Sequence, residues 1–365
     1  MSAKRRRPAK SHSDDNSSYS KYSDYEDAFE SQGASSRKPR GHRRPRSPTS
    51  SSGQDRGLRD GRIVSRSRGH YRVEIRNSEG EHVEALNCSL RGRLQGLDVP
   101  VVGDCVRVRV EGEEGVLEEV LERRNSLTRV SEEDELVFQV IAANIDVLAI
   151  VLSVEPPPPR WALADRMLVL AEREGFETVI VLNKMDLLEE GSVVARDIVS
   201  VLDVYRDLGV EVFLTSATAE TGLSALEEKL RGRVSVLSGH SGVGKSSLLN
   251  ALYPGLNLAV GRTNPQTGKG RHTTTLARLI PLPRGGYMVD TPGFREFGLG
   301  DIPAADLGRY YPEFREIIGK CRFSDCLHRR EPGCALQVAL EQGEVSKLRY
   351  QNYLQILTGL VERHR

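Results

Sequence analysis

The chain has 365 residues, room for two or three domains, and a net charge of only +1. Apolar residues make up 38%, below the usual fraction for a fully folded protein, so we expect part of the chain to lack a core. No apolar run reaches the length of a membrane span and the N-terminus lacks an apolar signal segment, so we expect neither membrane insertion nor secretion. Three of the five cysteines fall within 321–334, which favours metal ligation in a reducing compartment over disulfides. We therefore expect a soluble, cytoplasmic protein.

Residues 1–57 are predicted to form a disordered basic tail. The segment is rich in Ser, Arg and Pro and nearly free of aliphatic residues, so it cannot bury enough surface to offset chain entropy. Residues 1–60 contain 14 Lys/Arg against 8 Asp/Glu. The two basic clusters, 4–7 and 37–46, either bind RNA phosphates or belong to a solvated tail without a specific role.

Residues 58–130 are predicted to form a small β-barrel. Five short alternating runs are separated by turn-forming residues, and an OB-fold is the five-stranded barrel that fits them. The runs are GRIVSRS, HYRVEIRN, HVEALNCSL, DCVRVRVEG and GVLEEVLERR. Their arginines suit RNA phosphates, although a solvated barrel surface would also explain them: Arg62, Arg66, Arg68, Arg72, Arg91 and Arg93.

Residues 131–300 are predicted to form a parallel α/β sheet. Apolar runs typical of strands buried on both faces alternate with helical segments. The predicted strands are 147–154, 178–184, 210–217, 233–240 and 286–293; the predicted helices are about 161–174, 191–208, 223–231 and 246–253. Ligands of such sheets bind at the carboxyl ends of the strands, and the motifs described next lie at those ends.

The stretch LSGHSGVGKSSL (237–248) contains a phosphate loop, G-x-x-x-x-G-K-S. Its glycines let backbone N–H groups face the phosphates, Lys245 would reach the β- and γ-phosphates, and Ser246 would ligate Mg²⁺. The residues expected to contact the nucleotide here are Gly239, His240, Ser241, Gly242, Val243, Gly244, Lys245, Ser246 and Ser247.

The motif NKMD, at Asn183, Lys184 and Asp186, predicts guanine recognition. Asp186 would accept from N1–H and the exocyclic amine of guanine, donors that adenine does not place there. Lys184 would cover the purine and Asn183 would brace the loop. After the next strand, backbone N–H groups of Ser216 and Ala217 are candidates to contact guanine O6.

Two later motifs are expected to respond to the γ-phosphate. In DTPG, Asp290 would hold Mg²⁺ through water and the Gly293 N–H would meet the γ-phosphate. In the preceding GRHTTT, Thr274 would ligate Mg²⁺ only when triphosphate is bound, which makes this segment a switch.

These motifs occur in a circularly permuted order, with base recognition before the phosphate loop and the switches last. Crossover-connected parallel strands tolerate such recutting because their spatial order is kept. The second switch then leads directly into the C-terminal segment. A phosphate-loop ATPase or kinase is an open alternative, which Asp186 disfavours.

Residues 301–365 are predicted to form a small, mainly helical zinc-binding domain. Its ligands would be Cys321, Cys326, His328 and Cys334, a set that suits one closed, structural Zn²⁺ site. The nearby Lys320, Arg322, Arg329 and Arg330 are candidates for RNA contact.

The order of motifs, the barrel before them and the cysteine cluster after them resemble the RsgA (YjeQ) family of circularly permuted GTPases. GRHTTT, DTPGFREFGL and the cysteine cluster carry most of the match, which covers about residues 58–365. The resemblance implies a circularly permuted GTPase domain, GTP/GDP with Mg²⁺, slow hydrolysis stimulated by the small ribosomal subunit, contact with its rRNA, and a role in late subunit maturation. We expect a monomer.

The residue that orients the attacking water is not obvious from the motifs. Phe294 stands where Ras-like GTPases have glutamine and can form no hydrogen bond through its side chain. His272 lies beside the switch threonines and matches the histidine proposed as catalytic in the family. Alternatively, hydrolysis is completed by rRNA, or by Mg²⁺ and the phosphate loop alone. The competing function is a nucleotide-gated RNA-binding assembly chaperone with negligible catalysis of its own.

Overall fold

The strands predicted between 58 and 130 form a five-stranded barrel. The computed structural model describes residues 57–67, 69–76, 82–92, 99–130, 138–256, 277–290, 299 and 302–363. The barrel strands are β1 (Leu58–Ser67), β2 (His70–Arg76), β3 (His82–Leu90), β4 (Cys105–Glu111) and β5 (Glu114–Val120). Alternate apolar side chains such as Ile63, Val73 and Leu117 point inward and are fully buried, which is why alternation predicted these strands correctly.

The barrel is closed. Its strand order is β1-β2-β3-β5-β4, and β4 pairs back onto β1. Only β3 and β5 are parallel within it. At Gly115 a Cβ would lie 2.6 Å from Cys88 Sγ, so the close approach of these two strands requires glycine. The expected OB-type barrel is confirmed.

A second hairpin, which the sequence pattern did not predict, follows the barrel. It consists of β6 (Ser126–Val130) and β7 (Phe138–Ala143), paired antiparallel. Asn125 fixes its base, because its side chain accepts from Ile145 N at 2.8 Å and donates to Ile145 O at 2.8 Å. The chain then enters the central sheet.

The central sheet is parallel, as predicted. Its strands lie in the order β10-β9-β8-β11-β13, and every pairing among them is parallel. Their bounds are β8 (Val147–Ser153), β9 (Glu177–Asn183), β10 (Glu211–Leu214), β11 (Val234–Ser238) and β13 (Tyr287–Asp290). The helices between them are α1 (Trp161–Glu174), α2 (Val193–Asp207), α3 (Leu223–Leu230) and α4 (Lys245–Leu252). All seven residues of β8 are buried, as expected for a strand covered on both faces.

One antiparallel strand, β12 (Arg278–Pro281), connects this sheet to the barrel. It pairs with β13 on one side and with β1 at Ser65↔Arg278 on the other. The barrel and the parallel strands are therefore parts of one hydrogen-bonded sheet of 11 strands.

The C-terminal segment is mainly helical. It contains 3₁₀ turns at Ala304–Tyr310 and Pro312–Phe314, and the helices α5 (Arg315–Ile318), α6 (Ala335–Gln342) and α7 (Lys347–Arg363). Tyr311, Phe314 and Tyr353 form an aromatic core in edge and stacked contacts, with ring centroids 4.7–5.5 Å apart. In the described part of the chain, no helix is long and apolar enough to cross a bilayer.

Candidate functional site

Five strand ends meet at one edge of the parallel sheet, and four of them carry a predicted nucleotide motif. Ser153 is paired with Asn183 in register, and Leu214 is paired with Leu182 beside them. On the other side of β8, the strand β11 ends at Ser238, directly before the phosphate loop. Since β13 pairs with β11 up to Val236↔Val289, Asp290 reaches the same edge. Motifs far apart in the chain thus share one site.

The phosphate loop requires glycine at two tight positions. At Gly239 a Cβ would lie 2.1 Å from the carbonyl oxygen of Val151. Gly244 has a φ of 92°, and a Cβ there would lie 2.5 Å from Asn183 Nδ2. α4 begins at the next residue, so its N-terminal N–H groups and positive dipole end face the loop. This backbone fits a polyphosphate anion.

Lys245 is folded back over the loop that it follows. Its Nζ donates to the carbonyl oxygens of Gly239 at 2.6 Å and His240 at 3.0 Å. Burial lowers the pKa of this ammonium from its usual value, because the charged form loses contact with water. A bound phosphate would therefore stabilise the charged form of Lys245.

Asn183 joins the three nucleotide motifs. It is 1% exposed; its Nδ2 donates to Val243 O in the phosphate loop at 3.0 Å. Its Oδ1 accepts from Ala217 N at 3.2 Å and from Thr215 Oγ1 at 3.3 Å. The bracing role predicted for Asn183 therefore has a geometric basis, whereas Thr215, which takes part in it, was missed. Thr215 directly follows β10 and precedes Ser216, and this position was the signal in the sequence that could have identified it.

Asp186 is presented by a strained turn. Lys184 adopts a φ of 65°, its Nζ donates to Pro156 O, and the short 3₁₀ turn Met185–Leu187 follows. Asp186 itself is exposed, and its Oδ1 accepts from Ser216 Oγ at 2.5 Å. This hydroxyl in turn accepts from Ala219 N at 2.9 Å. The carboxylate is thus oriented on one side and open on the other.

The backbone donors predicted for guanine O6 already have partners in this structure. Ser216 N donates to Thr221 O at 3.1 Å, and Ala217 N donates to Asn183 Oδ1. The Ala217 bond is long, at 3.2 Å, so a base oxygen would have to compete with or share it. Contact with guanine O6 remains a prediction.

The switch residues are only partly described. Asp290, at the end of β13, forms an ion pair with Arg278 Nε at 2.9 Å across the β12–β13 pair. Its predicted role toward Mg²⁺ would require that pair to open or to be shared. His272, Thr274, Gly293 and Phe294 lie outside the described residues.

The four predicted zinc ligands form a cluster. The ligand atoms of Cys321, Cys326, His328 and Cys334 all lie within 4.8 Å of one another. His328 Nδ1 is 3.5 Å from the Sγ atoms of both Cys321 and Cys334. Zn–S and Zn–N bonds in a tetrahedron place S and N about 3.5 Å apart, so these two distances match a Zn²⁺ site, and the ligand types suit the ion.

The turn that carries His328 is stabilised by Glu331. Its carboxylate accepts from the backbone N–H groups of Leu327 at 2.9 Å, Arg329 at 2.8 Å and Arg330 at 3.0 Å. The backbone carbonyl of His328 accepts from Tyr350 OH at 2.8 Å. The ligand turn is therefore held from two sides, one of them α7.

The C-terminal segment is attached to α1 through buried charges. Arg349 of α7 donates to Asp165 of α1 and, at 2.7 Å, to Glu313. Asp165 also accepts from Tyr205 OH at 2.8 Å and from Asn352 Nδ2 at 2.7 Å. Burial raises the pKa of the Asp165 carboxyl, opposed first by the charge of Arg349. This network was not predicted from the sequence.

Taken together, the closed barrel, the parallel sheet and the order of the motifs define a circularly permuted GTPase. Two solved structures are similar in fold. The crystal structure of YjeQ from Thermotoga maritima is 37% identical with a TM-score of 0.69, covering 83% of this chain and 99% of that one. The structure of YloQ, "a circularly permuted GTPase", is 32% identical with a TM-score of 0.67, covering 86% and 99%.

The sequence comparisons agree with the structural ones. The family model for the RsgA GTPase matches residues 120–300. A protein of Moorella thermoacetica named small ribosomal subunit biogenesis GTPase RsgA is 40% identical over 308 residues, 84% of this chain and 99% of its own length. Another of that name, from Chlorobaculum tepidum, is 45% identical over 280 residues, 73% and 88%. The chain belongs to the RsgA GTPase family and is a GTP-hydrolysing enzyme, which implies a guanine nucleotide with Mg²⁺.

Proposed function

We propose that this enzyme hydrolyses GTP in the biogenesis of the small ribosomal subunit, and that its nucleotide state controls association with the subunit and release from it. The observation that carries the proposal is the position of Asn183. Its side chain joins the NKMD motif to Val243 of the phosphate loop and to Ala217 after β10. Relatives of this chain are named small ribosomal subunit biogenesis GTPases. The enzyme would act as a cytoplasmic monomer, with rRNA against its barrel and C-terminal segment.

In the proposed complex Asp186 binds guanine N1–H and the exocyclic amine. Lys184 covers the base, and Ser216 and Ala217 lie near O6. Residues 239–247 surround the phosphates, with Lys245 at the β- and γ-phosphates. Mg²⁺, when bound, neutralises phosphate charge; Ser246 and Thr274 would be its ligands and Asp290 its water-mediated contact.

Hydrolysis would depend on the switch residues. His272 is proposed to orient the attacking water, because the side chain of Phe294 cannot. The Gly293 N–H would contact the γ-phosphate. Slow turnover in the free protein then follows, since we propose that the ribosomal subunit completes the placement of His272 for hydrolysis.

The proposed domain division assigns these tasks separately. Residues 1–57 would be a basic tail, 58–130 the OB-fold domain, 131–300 the GTPase domain and 301–365 the zinc-binding domain. The hydrogen bond from Arg173 of α1 to the carbonyl of Leu299 lies just before the last boundary. We propose that a rearrangement at the second switch changes the position of the start of the C-terminal segment.

Phosphate release measured with and without purified small subunits tests the function. We expect turnover to rise by at least about tenfold with subunits, since partner proteins stimulate other GTPases by more than that. His272→Ala should lose most of the stimulated rate while GTP affinity stays near wild type. Absence of stimulation would contradict the proposal and leave a nucleotide-gated RNA-binding chaperone, and an unchanged His272→Ala rate would remove only the assignment of His272.

We expect purified protein to contain one zinc ion per chain. Cys326→Ser should lose the metal and lower the melting temperature, because a closed structural site contributes to folding directly. Cys105→Ser, which changes a half-buried barrel cysteine outside the cluster, is the matched control and should keep its zinc. Elemental analysis decides: a metal-free wild-type protein would contradict the site.

A further inference from the structure

The loop between the first two zinc-cluster cysteines carries an exposed aromatic ring. Phe323 is 43% exposed, and it is the only aromatic among the exposed large apolar side chains that the structure describes. The other aromatic residues nearby, such as Tyr311, Phe314 and Tyr353, are buried in the core of the C-terminal segment. A single exposed apolar ring is common on protein surfaces, so its meaning depends on the groups beside it.

The ring is covered on one side by an arginine that is itself held in place. The guanidinium carbon of Arg322 lies 5.4 Å from the centroid of the Phe323 ring. Arg322 N donates to Gly333 O at 3.1 Å, and a Cβ at Gly333 would lie 3.0 Å from Arg322 Cβ. The backbone of Gly333, next to a cluster cysteine, therefore fixes the backbone at Arg322, from which the guanidinium reaches the ring.

Four cations lie within seven sequence positions of the ring. Lys320, Arg322, Arg329 and Arg330 are exposed. Within the residues that the structure describes, none of the four forms an ion pair, whereas Arg315 and Arg349 of the same segment do. The nearest glutamate, Glu331, is occupied by backbone N–H groups, and the segment 320–330 has Asp325 as its one acidic residue.

We propose that Phe323 and Arg322 form a stacking platform for one unpaired base of an RNA strand, with Lys320, Arg329 and Arg330 binding the phosphates that flank it. An exposed aromatic ring beside cations is how proteins hold single-stranded nucleic acid, since every base has a face to stack. A double helix would offer these cations its phosphates but would offer the ring no base. The proposal deepens the proposed function by assigning the RNA feature that this face recognises.

The test uses the full-length, zinc-loaded protein and a short unstructured RNA oligonucleotide. Phe323→Trp adds an indole to a chain with one other tryptophan, so its fluorescence is obtained by difference from wild type. We expect the unpaired RNA to quench this indole, while an RNA duplex of the same length and polyglutamate do not. Quenching by duplex or polyglutamate instead would overturn base stacking in favour of a charge-only or protein-binding surface.

Affinity measurements supply the second readout. Phe323→Ala should weaken binding of the unpaired RNA by about 5- to 150-fold, the usual range for losing one stacked base, with an unchanged salt dependence. Arg330→Ala should reduce the slope of log K against log salt by about one. Val338→Ala removes another exposed apolar side chain, 49% exposed, from the same segment and should change neither quantity.

Wild-type affinity in Phe323→Ala together with an unquenched indole in Phe323→Trp would overturn the platform. Zinc content and melting temperature of both variants should match wild type, because the ring contributes little to the core. If small subunits still stimulate phosphate release in wild type, failure of the platform leaves the proposed function standing. If that stimulation is absent, the proposed function fails whatever the RNA result.

Discussion

Asp186→Asn is expected to weaken GTP binding by about 100-fold or more. In the wild type, guanine N1–H and the exocyclic amine both donate to the charged carboxylate, and the neutral amide leaves one of these donors without an acceptor. Asn offers one acceptor and one donor, so the donor would face the exocyclic amine of guanine. Xanthine has a carbonyl in place of that amine and keeps N1–H. The variant should therefore gain affinity for xanthosine triphosphate while it loses affinity for GTP.

The geometry of Asp186 makes this change specific. Ser216 Oγ donates to Asp186 Oδ1, and an amide oxygen can accept the same bond, so the turn should be kept. Binding of fluorescent GTP and xanthosine triphosphate analogues by wild type and variant measures the exchange. Glu190→Gln is the control, because it changes an exposed carboxylate four residues away and should leave both affinities unchanged.

Unaltered GTP affinity in Asp186→Asn would contradict guanine recognition by this carboxylate. Loss of GTP without a gain for xanthosine triphosphate would contradict the bidentate geometry, provided that the melting temperature is that of wild type. ATP competing as well as GTP in the wild type would favour the ATPase alternative instead.

The elements that local sequence determines were predicted well. The phosphate loop, the NKMD turn and the strands around them depend on glycine positions, strand burial and spacing within about ten residues. The barrel strands were predicted because each buries alternate side chains against its own neighbours. Roles for Asp186, Asn183 and Lys245 could thus be predicted before their positions in space were known.

The contacts that join distant segments were not predicted. The pairing of β1 with β12 brings Ser65 beside Arg278, and neither edge has a pattern that names its partner. Arg278 also pairs with Asp290, which no motif indicates. The partner of an edge strand depends on which other strands of the fold still have an unpaired edge. That information is not contained in the local sequence.

The buried link between α1 and α7 left a signal that was overlooked. Asp165 lies among apolar residues on the buried stripe of α1, where Ala164, Met167 and Leu170 are its neighbours. Arg349 precedes two tyrosines that face the core in α7. A charged residue in each of two apolar stripes is an indication of a buried pair, since neither charge is stable alone in the core.

This link has a position that matters for function. α1 follows the 154–160 segment, whose Pro156 carbonyl accepts from Lys184 of the base motif. The same helix holds Asp165, which binds the C-terminal segment, and Arg173, which binds the Leu299 carbonyl. The nucleotide site and the zinc-cluster segment are therefore connected through α1.

Arg349→Met should destabilise the protein by about 3–5 kcal/mol, because it leaves the Asp165 carboxylate buried without its cation. Arg349 and Asp165 have side-chain exposures of 2% and 0%, so water cannot replace the lost partner. Arg315→Met, which removes an exposed ion pair with Glu172 across the same interface, is the control and should cost less than about 1 kcal/mol. Calorimetric melting and limited proteolysis of the C-terminal segment measure both.

The pH dependence identifies the mechanism. Burial already raises the pKa of Asp165 above its unfolded value, and loss of Arg349 should raise it further. A carboxyl whose folded pKa is raised destabilises the protein increasingly as the pH rises from its unfolded value through its folded one. The difference between Arg349→Met and wild type should thus be largest at neutral pH and shrink on acidification.

Adding Asp165→Asn should restore part of the melting temperature at neutral pH, because the neutral amide can still accept from Tyr205. A penalty independent of pH and unrelieved in the double variant would mean that packing around the Arg349 side chain, rather than the buried carboxylate, holds the C-terminal segment on α1.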